Sequence, residues 1–151
     1  MFAFPDWCYR QFPDSRKLWI ILWVIWFTVL WFLSSRSPEP NQEPGIPHMD
    51  KVMHFGYFML GGFFICNFLY LKIQSSWSWK RIIILTCLIG ASAGAIDEHH
   101  QTYTPGRTGH SWGDWIADLS GTAVGAVYCF YMWRRLKKES NGHFWKPNPR
   151  I

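Results

Sequence analysis

The sequence predicts an all-α fold, a four-helix transmembrane bundle with both termini in the cytoplasm. Hydrophobic residues make up 49% of the 151 residues and charged residues 17%, whereas soluble domains carry about 25% charged residues. The apolar residues are clustered in four segments, and the basic residues are distributed unevenly between those segments. Together these observations exclude a soluble enzyme with its own large core, a coiled coil and a disordered protein.

Four helices are expected, at residues 18–35, 52–71, 82–100 and 114–133. A helix needs about 20 mostly apolar residues to cross the hydrocarbon core of a bilayer. The first segment has no charge, and the second has one histidine and one asparagine. The fourth has one acid within its apolar part, residues 115–133. The third is the shortest, since its apolar part ends at residue 96, and a buried or re-entrant helix is its alternative. This transmembrane domain, residues 18–133, is flanked by a cytoplasmic tail at 1–17 and a basic cytoplasmic tail at 134–151.

The basic residues set the predicted orientation, because cytoplasmic loops of membrane proteins carry an excess of lysine and arginine. The N-terminal tail has three, the loop between the second and third helices has three and the C-terminal tail has six. Only Arg36, Lys51 and Arg107 fall on the other side. This pattern predicts a multi-pass membrane protein with both termini in the cytoplasm. The net charge of +5 does not indicate nucleic-acid binding, for which basic and aromatic residues would form one patch.

Polar residues collect where the second and fourth helices meet the outer face of the membrane. Lys51 and His54 are three residues apart and share a helix face, and His54 lies one turn into the apolar segment. Asp118 lies inside the fourth segment, where an acid costs about 2.5–3.5 kcal/mol. It therefore needs a partner, and the candidates on this side are Lys51, His54 and Arg107, besides water and backbone.

The end of the third helix adds two adjacent acids, Asp97 and Glu98, which oppose the helix dipole and need compensation. The Pro105-Gly106 pair predicts a type II turn that returns Arg107 toward the helix end. Capping, interfacial anchoring or a solvated loop is the alternative for each cluster. Because successive helices alternate in direction, the clusters lie at one depth and predict one binding site. Its candidate residues are Lys51, His54, Asp97, Glu98, Gln101, Arg107, Asp114 and Asp118.

Three stretches of the sequence are DKVMHFGYFMLG from position 50, IDEHHQTYTPGR from position 96 and DWIADLSGTAVG from position 114. Together they resemble the VanZ-like family of small integral membrane proteins. The resemblance covers residues 50–125 in the family's order. Asp118 departs from the pattern, because members often have asparagine there. The founding member is associated with low-level resistance to teicoplanin, a lipid-tailed glycopeptide. The resemblance therefore implies a multi-pass protein of a bacterial plasma membrane with a cell-envelope role, but no defined reaction. The characteristic positions fall on Lys51, His54, Glu98, Gln101, Pro105, Arg107, Asp114, Asp118 and Gly121.

Two functions compete at this site. In the first, Lys51 and Arg107 bind the anionic head group of a membrane lipid or a lipid-linked envelope component. In the second, the protein is an intramembrane enzyme on such a substrate, with His54 or Glu98 as general base. Whether the protein is an enzyme, and its oligomeric state, stay open.

A third interpretation is structural, in which Asp118 pairs with Lys51 or Arg107 and holds the helices in register. We expect no cofactor and no metal, because residues 97–100 are rich in metal-binding side chains but lack H-x-x-x-H or H-E-x-x-H spacing.

Overall fold

The computed structural model describes residues 15–37, 48–73, 76–107 and 109–140. Within these ranges the chain forms four helices and no strand, which confirms the predicted all-α class. The helices start two or three residues before the predicted positions, and the last runs to residue 140 instead of 133. Most of both predicted tails, at residues 1–14 and 141–151, lies outside the described residues. The helices are α1 (Arg16–Ser34), α2 (Met49–Ile73), α3 (Trp79–Gln101) and α4 (Trp112–Ser140).

Three of these helices, α1, α2 and α3, are long and apolar enough to cross a membrane. Helix α3 is therefore long enough, although its apolar run is the shortest. The surface of α1 also fits a membrane, because Ile21, Ile25 and Phe32 are 54%, 54% and 66% exposed. In water such a continuous apolar face would be unfavourable. Helix α4 has 29 residues, but its glycine, serine, threonine and aromatic residues dilute its apolar character, and it falls short of the other three.

Helices α2 and α4 pack against each other more extensively than any other pair among the described residues. Gly121 and Gly125 of α4 face the α2 backbone, where a Cβ would overlap the carbonyl oxygens of Phe55 and Met59 respectively. Glycines four residues apart allow such close approach of two membrane helices. The small residues of the third and fourth helices predict that these two helices pack together. That contact is present, although Gly121 and Gly125 themselves face α2.

Helix α3 reaches α4 through its own small residues. A Cβ at Gly90 would overlap the side chain of Thr122, and a Cβ at Gly94 would lie 2.8 Å from Oδ2 of Asp118. The glycines of α3 thus bring it against α4, and the indole Nε1 of Trp115 adds a hydrogen bond to the carbonyl oxygen of Ala91 at 3.0 Å. One consequence concerns the site, because the approach at Gly94 brings the α4 acid against the last two turns of α3.

Helix α1 is attached by a reciprocal pair of hydrogen bonds. The indole Nε1 of Trp26 donates to the carbonyl oxygen of Tyr57 at 3.0 Å, and the Tyr57 hydroxyl donates to the carbonyl oxygen of Trp26 at 2.8 Å. With four helices alternating in direction, the end of α1, the start of α2, the end of α3 and the start of α4 meet. We call this end of the bundle the polar end.

Candidate functional site

The most deeply buried acid of the polar end is Asp118, which is 0% exposed. Its Oδ1 lies 2.9 Å from Nδ1 of His54, across the interface between α4 and α2. Of the three side chains that the sequence offers as partners, His54 is the one in contact. The contact fixes the imidazole ring through Nδ1, and Nε2 has no hydrogen-bond partner among the described residues.

Lys51 binds the acids nearer the surface. Its ammonium group lies 2.8 Å from Oδ2 of Asp50 and 3.0 Å from Oδ1 of Asp114. The predicted structural pair of Lys51 with Asp118 is therefore not formed. The sequence also explains Asp114 as a helix cap, but the cap is Ser111, whose hydroxyl accepts the Asp114 backbone N–H at 3.3 Å. Asp114 is left free to pair α4 with α2.

Asp97 joins the ends of α1 and α3. It is 2% exposed, its Oδ1 accepts a hydrogen bond from the Ser34 hydroxyl, and its Oδ2 accepts one from Nε2 of Gln101 at 2.8 Å. The Thr104 hydroxyl donates to the Ser34 carbonyl at 3.1 Å. The sequence does not predict that Ser34 and Thr104 belong to the site, because a serine at a helix end and a threonine in a loop carry no distinctive spacing.

Glu98 is 4% exposed, and only one of its two carboxylate oxygens is hydrogen-bonded. Its Oε2 accepts the backbone N–H of Ser111, from the segment that leads into α4. Its Oε1 is buried and has no partner among the described residues. Leaving a buried acceptor unpaired costs about 1–3 kcal/mol, and more when the group is charged.

The predicted type II turn is confirmed. The backbone N–H of Arg107 donates to the carbonyl oxygen of Thr104 at 3.1 Å, and Gly106 has φ of 80°, which this turn requires at its third position. The Arg107 guanidinium then donates to the Arg36 carbonyl at 3.1 Å and to Oε1 of Gln101 at 3.3 Å. Both acceptors are neutral, and within the described ranges Arg107 contacts no carboxylate. The alternative pairing of Arg107 with the α4 acid is therefore not formed either.

The polar end also contains a group of possible metal ligands that the sequence reading did not expect. His54, Asp97 and Glu98 each offer one ligand atom, and these atoms all lie within 4.8 Å of one another. The sequence directs attention instead to residues 97–100, where His99 packs against Tyr103 and His100 stacks on a tryptophan of α1. Only the pairing of α2 with α3 brings His54 to the two acids, and no local spacing encodes that pairing.

All eight predicted site residues therefore lie at the polar end. Their hydrogen bonds and ion pairs join Lys51 to Asp114, His54 to Asp118, Asp97 to Gln101, Gln101 to Arg107, and Glu98 to Ser111. Comparison with family models, with characterised proteins and with solved structures finds no match to this chain. The resemblance to the VanZ-like family accordingly stays a prediction from the three sequence motifs.

Proposed function

We propose that the chain is a multi-pass protein of a bacterial plasma membrane that binds an anionic lipid head group, or a lipid-linked envelope component, at its polar end. In this proposal α4 is the fourth span, both termini are cytoplasmic and the polar end faces outward. The distribution of basic residues supports this orientation, and the VanZ-like motifs support a role in the cell envelope.

The observation that carries the proposal is that the Arg107 guanidinium has no carboxylate partner among the described residues. Its guanidinium is held by two neutral oxygens and retains further N–H groups, because arginine has five donors. A guanidinium binds phosphate or carboxylate through two parallel hydrogen bonds. Lys51 contributes less, since Asp50 and Asp114 already neutralise it. Arg107 is therefore the cation that we expect to contact the head group.

Two exposed aromatic side chains support a position of this arginine near the membrane surface. Tyr103 is 73% exposed and Trp112 is 76% exposed, and they lie on either side of Arg107 in the chain. Tyrosine and tryptophan concentrate at the membrane–water interface, at the level of the lipid head groups. An arginine that lies between them in the sequence fits a position at the depth of the lipid phosphates.

The test is native mass spectrometry of the detergent-solubilised protein with phosphatidylglycerol, a polyprenyl phosphate and zwitterionic phosphatidylcholine. Replacing Arg107 with glutamine should weaken binding of the two anionic lipids at least about tenfold, since a hydrogen bond to a charged group contributes about 1.5–3 kcal/mol. The matched control is Arg81→Gln, which removes an exposed arginine at the opposite end of the bundle and should change binding less than about twofold. Equal losses in both variants would contradict a head-group site at the polar end.

A second function, catalysis on a lipid-linked envelope substrate, is favoured by the contact between His54 and Asp118. A carboxylate bonded to one imidazole nitrogen orients the ring and leaves the other nitrogen to move a proton. Purified protein in nanodiscs with labelled lipid-linked precursors tests this function. Turnover that His54→Ala or Glu98→Ala abolishes would favour the enzyme, and binding without turnover would favour the binding protein.

A further inference from the structure

We propose that His54, Asp97 and Glu98 bind one divalent transition-metal ion, Zn²⁺ or Mn²⁺, and that Asp118 is the positioning residue for His54. One imidazole and two carboxylates form a ligand set that suits either ion, because imidazole favours zinc and carboxylate oxygens favour manganese. Gln101 links this site to Arg107, because it donates to Asp97 and accepts from Arg107. The inference uses none of the lipid-binding argument and does not rest on the proposed lipid binding.

The separation of the three side chains fits coordination. Metal–ligand bonds of about 2.0–2.2 Å place neighbouring ligand atoms roughly 3–4 Å from one another. The ligand atoms of His54, Asp97 and Glu98 lie within 4.8 Å of one another. Small side-chain rotations therefore bring all three onto one ion, without movement of α2 against α3.

The contact of His54 with Asp118 is the arrangement typical of a metal-binding histidine. Such a histidine usually donates its second ring N–H to a carboxylate, which fixes the ring orientation and raises the basicity of the ligating nitrogen. Here Nδ1 lies 2.9 Å from Asp118 Oδ1, so the proposed ion takes Nε2, the ring nitrogen that has no hydrogen-bond partner among the described residues. Asp118 comes from α4, so the ring is oriented by a helix that supplies none of the three ligands.

The unpaired oxygen of Glu98 points to a missing ligand independently of that geometry. Oε1 is buried and has no partner among the described residues, although the other carboxylate oxygen is hydrogen-bonded. Buried polar atoms nearly always have a partner, so an orphan of this kind needs one. A metal ion bound to Oε1 would supply it.

The negative charges of the two acids also favour a bound metal ion. Asp97 and Glu98 are 2% and 4% exposed, and neither Lys51 nor Arg107 forms an ion pair with them in the described part of the chain. Two buried carboxylates without a counter-ion are strongly unfavourable. One divalent cation would balance both charges at once.

The experiment uses the full chain in detergent, without a histidine tag, after chelator treatment and dialysis. Isothermal titration with Zn²⁺, and separately with Mn²⁺, should show one equivalent of at least one ion with a dissociation constant below about 1 µM. Glu98→Gln keeps an acceptor for the Ser111 N–H but loses a carboxylate ligand, and we expect at least about a hundredfold weaker binding. Asp118→Asn should weaken binding about 10–100-fold, as is typical for a group that orients a ligand.

His99→Ala is the matched control, because it removes an exposed imidazole one position after Glu98. Binding in this variant should stay within about twofold of the wild type. X-ray absorption of the loaded wild-type protein provides a measurement that needs no variant, and it should show one imidazole nitrogen and carboxylate oxygens in the first coordination sphere. The absence of stoichiometric binding, equal affinity in Glu98→Gln, or a first sphere without imidazole would overturn the proposal.

Discussion

The close contact between α2 and α4 predicts that Gly121→Ala destabilises the protein and disturbs the site. A Cβ at this position would overlap the carbonyl oxygen of Phe55 and lie 3.0 Å from the backbone nitrogen of Met59. Both atoms belong to the α2 backbone, so no side-chain rotation relieves the overlap. The two helices would have to separate by on the order of 1 Å, because packed interiors have no free space to absorb a methyl group.

The expected loss has two parts. Overpacking of this kind costs about 1–3 kcal/mol. Phe55 also directly follows His54, so the same separation would lengthen the His54–Asp118 contact from 2.9 Å to about 4 Å, which is too long for a hydrogen bond. We therefore expect Gly121→Ala to lower the free energy of unfolding by at least about 2 kcal/mol.

Unfolding by sodium dodecyl sulfate in mixed micelles, followed by circular dichroism, measures this loss. Gly56→Ala is the matched control, because it places a methyl group on α2 where nothing lies within 4 Å. It should change the free energy of unfolding by less than about 1 kcal/mol, and in the stabilising direction, since alanine favours helix over glycine. If the two variants unfold alike, the close approach of α2 and α4 described above is wrong.

Two further predictions concern the polar end. Asp118→Asn keeps an oxygen that accepts a hydrogen bond from His54, so its free energy of unfolding should stay close to that of the wild type. Asp118→Ala removes that oxygen and should lose about 1–3 kcal/mol. Equal losses in the same micelle assay would mean that the charge itself holds the helices together. Gly106 has φ of 80°, so Gly106→Ala should lower the free energy of unfolding by about 1–2 kcal/mol. It should also weaken phosphatidylglycerol binding, because it displaces Arg107. Unchanged lipid affinity would mean that the turn has no part in binding.

The sequence predicts the helices well, because the length of an apolar run is set by the thickness of the bilayer. The same physics explains the error at the end of α4. Hydropathy detects the part of a helix that is buried in hydrocarbon, whereas the helix itself continues through Arg134 and Arg135 to residue 140. The partner of a small-residue face was not predictable, since Gly121 and Gly125 permit close approach without specifying which helix approaches.

The sequence predicts the depth of the polar residues along their helices, and this depth indicates which of them pair. Helices α2 and α4 both begin at the polar end and run in the same direction. Lys51 and Asp114 lie in the first turn of each, and His54 and Asp118 lie about one turn deeper, since each residue adds 1.5 Å along the axis. Residues at equal depth pair, at 3.0 Å and 2.9 Å. The sequence offers Lys51, His54 and Arg107 as partners of Asp118, and equal depth along the two helices is what favours His54.

Hydrogen bonds from ordinary residues could not be predicted in the same way. Ser34 binds Asp97, and the backbone of Ser111 binds Glu98. A serine is common at helix ends, and a backbone N–H is present at every residue except proline. Neither leaves a pattern in the sequence, so these contacts follow only from the way in which the four helix ends meet.

The distribution of partners at the polar end distinguishes a binding site from a purely structural network. A network that only held the helices in register would join its buried acids to its cations, because an unpaired buried charge is costly. Here Lys51 binds Asp50 and Asp114 near the surface, and Arg107 binds neutral oxygens. The buried carboxylates of Asp97 and Glu98 contact neither cation among the described residues. Asp114 and Asp118 thus pair with basic side chains of α2, whereas Asp97, Glu98 and Arg107 form no ion pair among the described residues. These three are the groups to which our proposals assign a cation and an anion.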